Sequence, residues 1–380
     1  MTSSDPPSIC FVAPHAYVVL SERPDLPHIG GAEVQQVLIA KELVKRGYSV
    51  SFVTEDHGQT DGTLVNGVRV FVAYDATKGI PGPRFFHPRI TGLWLAMRRA
   101  DADIYYQRTS DSNTGVVAAF CRWRRRGFVF AAASNADCMA ELPHCSTRRE
   151  RVLYRYGLRR ARCVVAQTVV QQRMLQENFG VKSTVVPNFA PNGEALAEKI
   201  PASLAPKRVL WIGRFTPDKR PEMLVEIARR CPEVEFDVVG EGDESSWPVQ
   251  QLRVKARALG NLRLHGRVPH AQVGGFYLRA ACLICTSPTE GFPNTFLEAW
   301  SSACPVISTF DPDDLIARRE LGLVAGDVPG LAAAVRRLLE SPDLYRRLSQ
   351  NARQYYIENH TVEVAMPRFE EVFLGVLNAP

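Results

Sequence analysis

The chain has 380 residues, of which 46% are hydrophobic and 23% are charged, and 46 Lys and Arg against 40 Asp and Glu leave a net charge of +6. At roughly 100 to 200 residues per domain, this length predicts two domains with separate cores, and the composition excludes a largely disordered chain. No stretch approaches the ~20 apolar residues that span a bilayer, and the start, MTSSDPPS, lacks the basic and then apolar order of a secretion signal. We therefore expect a cytoplasmic protein.

Apolar runs rich in β-branched residues alternate with amphipathic segments along the first half, which is typical of βαβ units and a parallel sheet. After the first strand, SICFVA, we expect a long loop from His15 to Ile29 and then a helix from Ala32 to Arg46, ended by Gly47. Further strands are predicted at YSVSFVT, VRVFVA, DIYYQ, GFVFAAA, CVVAQT and STVVP. Further helices are predicted over 92–99, 114–125, 148–160 and 169–179.

A proline-rich stretch without periodicity, from Asn188 to Lys207, separates two halves of similar pattern. After it, strands are predicted at RVLWIG, FDVVG, LRLHG, CLICTS and PVIST, with helices over 221–230, 249–259, 270–280, 295–301 and 331–340. We assign an N-terminal domain to 1–190, a linker to 191–206, a second domain to 207–358 and a C-terminal helix that packs back on the first domain to 359–380. The predicted fold is α/β, with two Rossmann-like, doubly wound parallel-sheet domains that face each other across a cleft and bind ligands at the carboxyl ends of their strands.

The cysteines and the charge give two further expectations. Nine cysteines lie mostly in apolar runs, so we interpret them as structural thiols, including Cys282 and Cys285, which have no second ligand pair nearby. Residues 1–205 hold 25 Lys and Arg against 18 Asp and Glu, and the remainder holds 21 against 22. The positive excess therefore predicts that the first half meets any acidic surface or substrate.

The segment TSPTEGFPNTFLEAW combines a strand end, a loop and a helix start. The start of that helix, near Thr295, offers free N–H groups and the positive end of a dipole, which together form a seat for phosphate. Glu298 lies eight residues after Glu290, so both carboxylates can border one pocket, although two solvated acids would also fit this spacing. The remaining candidate residues of the loop are Gly291, Phe292, Pro293 and Asn294.

Two other segments carry candidate ligand groups. In WIGRFTPDKRPEM, Arg214 follows a strand and Lys219 precedes a helix, so these cations can neutralise a diphosphate leaving group without a metal; two solvated surface cations are the alternative. In HIGGAEVQQ, Gly30 and Gly31 precede the first helix and allow the backbone to approach a phosphate or sugar closely, unless they form only a tight turn.

These three segments, in this order, resemble the family-4 glycosyltransferases of the GT-B fold, which are nucleotide-sugar-dependent retaining enzymes. The resemblance implies that Arg214 and Lys219 hold the donor diphosphate, that Glu298 binds the ribose and that Glu290 contacts the transferred sugar. It also places Arg267 and Val268, in HGRVP, beside the base. Many members have a histidine near the reacting sugar, where this chain reads AAASNADCMAE, so Asn135 or Asp137 is the candidate there. Glu290 and Asp137 are assigned as the catalytic residues. The chain also departs from the family at FDPDDLI, where many members have a glycine-rich loop.

The resemblance implies a hexosyltransferase that moves a sugar from a nucleotide diphosphate to a hydroxyl acceptor in cell-surface polysaccharide or glycolipid synthesis. The nucleotide sugar is then a co-substrate, no other cofactor is expected, and the acceptor is a glycan or a lipid-linked molecule. A GT-B epimerase or phosphorylase, and a non-catalytic donor-binding subunit of a transferase complex, are the alternatives that fold likeness leaves open.

Metal and dinucleotide sites are not expected. The D-x-D triplet at Asp101 precedes a strand, and this is the end of a parallel sheet at which ligands do not bind. The triplet at Asp311 follows a strand, but Arg214 and Lys219 already supply the positive charge that a metal would bring. VVGEGDES lacks the third glycine of a dinucleotide fingerprint.

Two arginine-rich runs remain, at 122–126 and 148–162. The second predicts a basic amphipathic helix, which either docks on anionic lipid or presents a solvated face. No nucleic-acid-binding module accompanies this charge. We therefore expect peripheral contact with the inner face of a membrane, where a lipid-linked acceptor would lie.

Overall fold

A computed structural model describes residues 6–22, 30–191 and 207–378 of the chain, which folds into two units. The first unit comprises Met1–Asn188 and Ala365–Pro380, and the second comprises Phe189–Val364. The boundaries expected at 190 and 358 thus lie at 188 and 364. The reason is that Ala190 packs into the core of the second unit, where its carbonyl accepts a hydrogen bond from the Tyr356 hydroxyl at 2.9 Å. Apart from Pro191, the expected linker lies outside the described residues.

The first unit contains an eight-stranded sheet in the order β3-β4-β2-β1-β5-β6-β7-β8. The strands are β1 (Ile9–Val12), β2 (Val50–Thr54), β3 (Thr63–Val65), β4 (Val68–Val72), β5 (Ile104–Arg108), β6 (Gly127–Ala131), β7 (Cys163–Ala166) and β8 (Thr184–Val185). All neighbours are parallel except β3, which pairs antiparallel with β4. Because β2 and β5 flank β1 on opposite sides, the strand order reverses there, and a ligand crevice is expected at the carboxyl ends of β1 and β5.

Three of the helices described in the first unit begin directly after a residue whose side chain caps them. The helices of this unit are α1 (Ala16–Leu20), α2 (Gly31–Lys45), α3 (Thr91–Ala100), α4 (Ser112–Arg124), α5 (Arg148–Arg160) and α6 (Val169–Phe179). Asp111 caps α4, Thr147 forms a capping box with Glu150 in α5, and Thr168 caps α6. The loop predicted from His15 to Ile29 is wrong in its first part, because Ala16 begins the short helix α1, whose buried side chains cover the sheet.

The second unit contains a six-stranded, fully parallel sheet in the order β11-β10-β9-β12-β13-β14. The strands are β9 (Arg208–Ile212), β10 (Glu235–Val239), β11 (Leu262–Gly266), β12 (Cys282–Cys285), β13 (Val306–Ser308) and β14 (Gly322–Val324). Its helices are α7 (Pro221–Arg230), α8 (Trp247–Arg257), α9 (His270–Arg279), α10 (Asn294–Ser301), α11 (Leu315–Arg318), α12 (Val328–Glu340) and α13 (Pro342–Asn359). The strand order reverses at β9, so a second crevice is expected between the carboxyl ends of β9 and β12.

Glycines in the second unit serve close backbone approach. A Cβ on Gly240 would lie 1.8 Å from the Gly213 carbonyl oxygen, and one on Gly242 would lie 2.7 Å from the Phe215 Cβ. The glycines of VVGEGDES therefore let the chain after β10 pack against the chain after β9, which accounts for them without a dinucleotide.

The last helix, α14 (Val362–Asn378), carries the chain from the second unit back to the first. The ring of Phe373 is fully buried and lies 6.0 Å from the ring of Tyr106 in β5. The Arg162 guanidinium donates to the Val376 carbonyl at 3.0 Å. The C-terminal residues are thus an integral part of the first unit.

All nine cysteines are free thiols, and seven of them are buried. None of the helices in the described ranges is long and apolar enough to cross a bilayer.

Candidate functional site

The sequence-predicted residues of the second unit lie at the crevice between β9 and β12. Lys219 ends a short 3₁₀ turn, Pro217–Lys219, after β9, and Glu290 lies in the loop after β12. The Lys219 ammonium and the Glu290 carboxylate form an ion pair in which their side chains are 25% and 17% exposed. The structure therefore brings these two segments together, and the pair remains accessible to a ligand.

A buried hydrogen-bond chain positions the backbone of Lys219. The Trp211 indole N–H in β9 donates to the Thr286 hydroxyl at 3.0 Å, and that hydroxyl donates to the Lys219 carbonyl at 2.5 Å. Because Thr286 directly follows β12, this chain ties the turn that carries Lys219 to the neighbouring strand.

The loop that carries Glu290 leads directly into α10. Its residue Phe292 is 5% exposed and packs against Trp300 and His360, with ring centroids 6.0 and 5.0 Å away, so this side chain anchors the loop rather than facing a ligand. Pro293 precedes α10 and provides no side-chain cap. The helix begins at Asn294, with Thr295 as its second residue, so the first-turn amides of both point out of the positive end of the helix.

Glu298 lies one turn further along α10. Its carboxylate accepts a hydrogen bond from the buried Tyr277 hydroxyl of α9 at 2.8 Å. Burial, together with the nearby Glu298 charge, raises the pKa of Tyr277 well above its ordinary value. Tyr277 thus remains a hydrogen-bond donor that orients Glu298.

The other residues that the sequence predicts for this site, Arg214, Arg267 and Val268, differ in their environments. Arg214 is exposed after β9, and no carboxylate in the described part of the chain pairs with it. Arg267 follows β11, and its Nε lies 4.0 Å from the Glu241 carboxylate. Val268 is partly buried against the core of the unit. Arg214 is therefore the cation best placed to take an incoming anion.

Gly30 and Gly31 belong to the first unit, at the start of α2. Gly30 is the extended residue before the helix, and a Cβ on it would lie 2.6 Å from the Glu33 carboxylate. The glycine therefore leaves room for this acidic side chain. Residues 23–29, which precede it, lie outside the described residues.

Asp137 also belongs to the first unit, and its carboxylate is buried in a capping box after β6. It accepts hydrogen bonds from the amides of Ser110, Ala133 and Ser134 at 2.7 to 3.0 Å. Burial disfavours the charged form of this carboxylate. Hydrogen bonds from His144, from Ser110 and from the amides of Ala133 and Ser134 nevertheless hold the pKa of Asp137 below its ordinary value. These contacts explain Asp137 as a structural anion, and its catalytic role stays a prediction.

Two polar side chains lie near Asp137 in this part of the chain. The His144 side chain is 57% exposed, and its Nδ1 lies 3.6 Å from the Asp137 carboxylate. The side-chain oxygen of Asn135 is buried and has no hydrogen-bond partner in the described structure. Sequence reasoning missed His144 because it lies outside the strand-end segment AAASNAD, in a loop whose return only the structure shows.

Sequence reasoning also missed a polar pocket of about 130 Å³ at the strand reversal of the first unit. Its ionisable lining side chains include His15, Glu33, Glu55, Arg108 and Asp111. Two buried atoms of its lining residues, the Gln36 side-chain oxygen and Arg108 Nε, have no hydrogen-bond partner in the described structure. Burial raises the pKa of Asp111 to about 6. The sequence signal was a polar run, RTSDSN, directly after the strand DIYYQ.

One group of side chains in the described ranges could hold a metal ion: the ligand atoms of His15, Glu55 and His57 lie within 4.8 Å of one another. The D-x-D triplets have other roles. Asp101 and Asp103 pair with Arg126 at 2.8 and 3.0 Å, and Asp311 accepts the amides of Ile316 and Ala317 at 2.8 and 3.1 Å.

Comparison with known families identifies this arrangement. The profile described as Glycosyltransferase Family 4 matches residues 29–192, and the profile described as Glycosyl transferases group 1 matches residues 206–341. The chain belongs to glycosyltransferase family 4. The two matches to this family-4 protein include β5 of the first crevice and both β9 and β12 of the second.

Curated relatives match part of their length. Glycogen synthase of Mycobacterium tuberculosis is 27% identical over 178 residues, which is 45% of this chain and 43% of the relative. LpsE, a lipopolysaccharide core biosynthesis glycosyltransferase of Rhizobium meliloti, is 25% identical over 200 residues, which is 50% of this chain and 58% of the relative. The family-4 chain thus spans about half the length of these relatives.

Solved structures confirm the GT-B fold. Sucrose-phosphate synthase of Thermosynechococcus elongatus superposes with a TM-score of 0.76 and 19% identity, covering 98% of this chain and 100% of the other. HepE of Anabaena, solved in complex with UDP and glucose, superposes with a TM-score of 0.74 and 18% identity, covering 97% and 99%.

Proposed function

We propose that this family-4 protein is a retaining hexosyltransferase that moves a sugar from a nucleoside diphosphate to a hydroxyl acceptor, without a metal, in the synthesis of a cell-surface polysaccharide or glycolipid. The observation that carries this proposal is the partly exposed Lys219–Glu290 pair, whose carboxylate lies in the loop that leads into the start of α10. It is supported by HepE, a structural neighbour that was solved with UDP-glucose.

The proposed donor site divides its work among charges of the second unit. Arg214, Lys219 and the first amides of α10 bind the diphosphate, which disperses the negative charge that grows as the glycosidic bond breaks. Glu298, held by Tyr277, accepts hydrogen bonds from the ribose hydroxyls. Glu290 binds hydroxyls of the transferred sugar, and Arg267 and Val268 adjoin the base.

Retention follows in this proposal from attack on the same face of the sugar as the leaving group. The acceptor oxygen forms the new bond to the anomeric carbon as the bond to the diphosphate breaks, and the departing phosphate oxygen takes the acceptor proton. The first unit presents the acceptor, with Asp137 or its neighbours Asn135 and His144 close to the reaction. Gly30 and Gly31 allow the ligand to approach the start of α2.

The donor site is tested by thermal shift with UDP and UDP-glucose, since a ligand stabilises the folded protein according to its concentration relative to Kd. We expect Lys219→Ala to abolish the shift and to reduce donor turnover by roughly 100-fold or more. Arg229→Ala, which removes an exposed ion pair on α7, is the matched control and should change neither quantity. A wild-type shift in Lys219→Ala would contradict the assignment.

Metal independence has its own test. We expect the protein to turn over the donor at an undiminished rate in EDTA, because the cations at the diphosphate are side chains. Full loss of turnover in EDTA, restored by Mn²⁺ or Mg²⁺, would refute this part of the proposal.

A further inference from the structure

The solvent face of α5 is unusually basic. Six arginines of this helix are exposed: Arg148, Arg149, Arg151, Arg155, Arg159 and Arg160. Val152 lies among them and is 66% exposed. The opposite face, with Tyr154, Gly157 and Leu158, is buried, so the arginines form one continuous outer surface.

These arginines are not neutralised within the described structure. Glu150, the one acid of the helix, is engaged in the capping box with Thr147. None of the six guanidinium groups lies within ion-pair distance of a carboxylate in the described ranges, whereas Arg124 and Arg126 of the other basic run both pair with Asp101. The charge of α5 is therefore available to an external anionic partner.

A loop with exposed apolar side chains adjoins the start of α5. Ile80 and Phe86, in the connection between β4 and α3, are 74% and 62% exposed. The neighbouring Phe85 ring lies under the Arg149 guanidinium, 3.4 Å from its centroid, and makes an edge contact with Phe86 at 5.3 Å. The cation–π contact therefore joins the apolar loop to the basic helix.

Topology places both features at the ligand edge of the first unit's sheet. The loop follows the carboxyl end of β4 after Tyr74, which itself lines the polar pocket. The last turn of α5 leads directly into β7, so its first turn, about 20 Å away, lies towards the carboxyl edge. The docking edge is defined here as Ile80, Phe86, Arg148 and Arg149.

We infer that the docking edge binds an anionic phospholipid bilayer, with Ile80 and Phe86 inserted between the acyl chains and the arginines of the first turn of α5 at the headgroups. Charge complementarity selects this partner, because adjacent apolar and unpaired basic side chains match the two layers of a leaflet surface. Such docking would bring the polar pocket towards the membrane. The purpose of this docking, which is delivery of a lipid-linked acceptor, rests on the proposed function.

The test is co-sedimentation of the full chain with vesicles of phosphatidylcholine, with and without phosphatidylglycerol. We expect binding only to the vesicles that contain phosphatidylglycerol. Both I80S/F86S and R148E/R149E should lower the partition coefficient by roughly tenfold or more, and added salt should weaken binding of the wild type.

The chain offers two matched controls. R159E/R160E makes the same charge change in the last turn of α5 and also alters one arginine that lies over an aromatic ring. It should reduce binding by much less than R148E/R149E. K255E/R257E makes that charge change on α8 of the second unit and should leave binding unchanged.

Several results would overturn the docking edge: no binding by the wild type, equal binding to both vesicles, no effect of I80S/F86S, or equal losses in R148E/R149E and R159E/R160E. Each variant is checked by its thermal shift with UDP-glucose. Lost vesicle binding with a retained shift bears on docking alone. A wild-type protein that binds vesicles but shows no shift with any nucleotide sugar would refute the donor proposal and leave the docking edge intact.

Discussion

Within the proposed donor site, the Lys219–Glu290 pair provides an internal competitor for the diphosphate. The Glu290 carboxylate is paired with the Lys219 ammonium, which the proposed function assigns to the binding of a diphosphate. An incoming anion must therefore displace this carboxylate. The same carboxylate is then released to bind sugar hydroxyls. One side chain therefore opposes binding of the diphosphate while it favours binding of the complete donor.

The pair leads to a prediction about affinity. Glu290→Gln should strengthen UDP binding about twofold to tenfold, because it removes a carboxylate beside the diphosphate site. The same change should lower turnover of UDP-glucose by roughly 100-fold. Isothermal titration calorimetry with UDP and a donor turnover assay measure the two effects. Glu226→Gln, at the exposed pair on α7, is the control, and weaker UDP binding in Glu290→Gln would contradict the competition.

Asp111 predicts a pH dependence of stability. Burial raises its pKa from 3.8 to about 6, so the native state binds a proton more tightly than the unfolded state does. The resulting stabilisation is complete below about pH 4 and is lost as the pH rises through about 6. Its size is at most about 3 kcal/mol at 1.36 kcal/mol per pKa unit, and partial solvent access reduces it.

Asp111→Asn isolates this contribution, because asparagine also caps helices well and has no charge. The free energy of unfolding of the variant, relative to the wild type, should rise by about 1 to 3 kcal/mol between pH 4 and pH 7. Urea unfolding at a series of pH values measures the difference. Parallel pH curves for the two proteins would show that Asp111 is not responsible.

At the scale of elements, α4 and α5 approach each other through glycine. A Cβ on Gly157 would lie 2.3 Å from the Thr114 carbonyl oxygen. Alanine normally stabilises a helix more than glycine does. Gly157→Ala should nevertheless destabilise the protein by about 2 to 3 kcal/mol, because the two helices must separate. Gly375→Ala in α14, where a Cβ meets nothing within 4 Å, should stabilise it by about 0.5 to 1 kcal/mol. Equal shifts of the two urea midpoints would contradict the close approach.

The periodicity of apolar residues predicted most helices and strands, because buried strands and amphipathic helices each have a characteristic local sequence pattern. Every strand predicted from an apolar run forms, and helices α5, α6 and α7 have the predicted bounds. β3 and β14 have only three residues each, so their pairing with β4 and β13 depends on tertiary contact. Helix α13 was missed although Leu344, Leu348, Ala352 and Tyr356 are buried at a four-residue spacing, because polar residues dominate the rest of its sequence.

The candidate site was predictable where it follows the ends of parallel strands. Lys219 and Glu290 come after β9 and β12, and the reversal of strand order brings these two ends together. The contacts of Tyr277 with Glu298 and of His144 with Asp137 could not be predicted, because they depend on the rotation of α9 and on the return of an irregular loop.

At the scale of the whole molecule, the first unit is completed by the last residues of the chain. Phe373→Ala should cost about 3 to 5 kcal/mol of stability, since the buried ring packs on Tyr106 of a central strand. Hydrogen exchange should show loss of protection in β5 and β6, with protection of β9 to β13 retained.

Leu374→Ala, at the exposed neighbour on the same helix, is the control and should change exchange little. Comparable losses in the two variants, or a loss confined to the second unit, would show that α14 does not complete the first unit.

The path of α14 also bears on the order of events during synthesis. Domains usually fold as they leave the ribosome, the N-terminal one first. Here the second unit, Phe189–Val364, has all its residues before the first unit has its final helix. The part of the protein that is translated first must therefore wait, with the Tyr106 surface uncovered, until α14 has been translated. A nascent chain stalled before Ala365 is thus the form of this protein that we expect chaperones to bind most strongly.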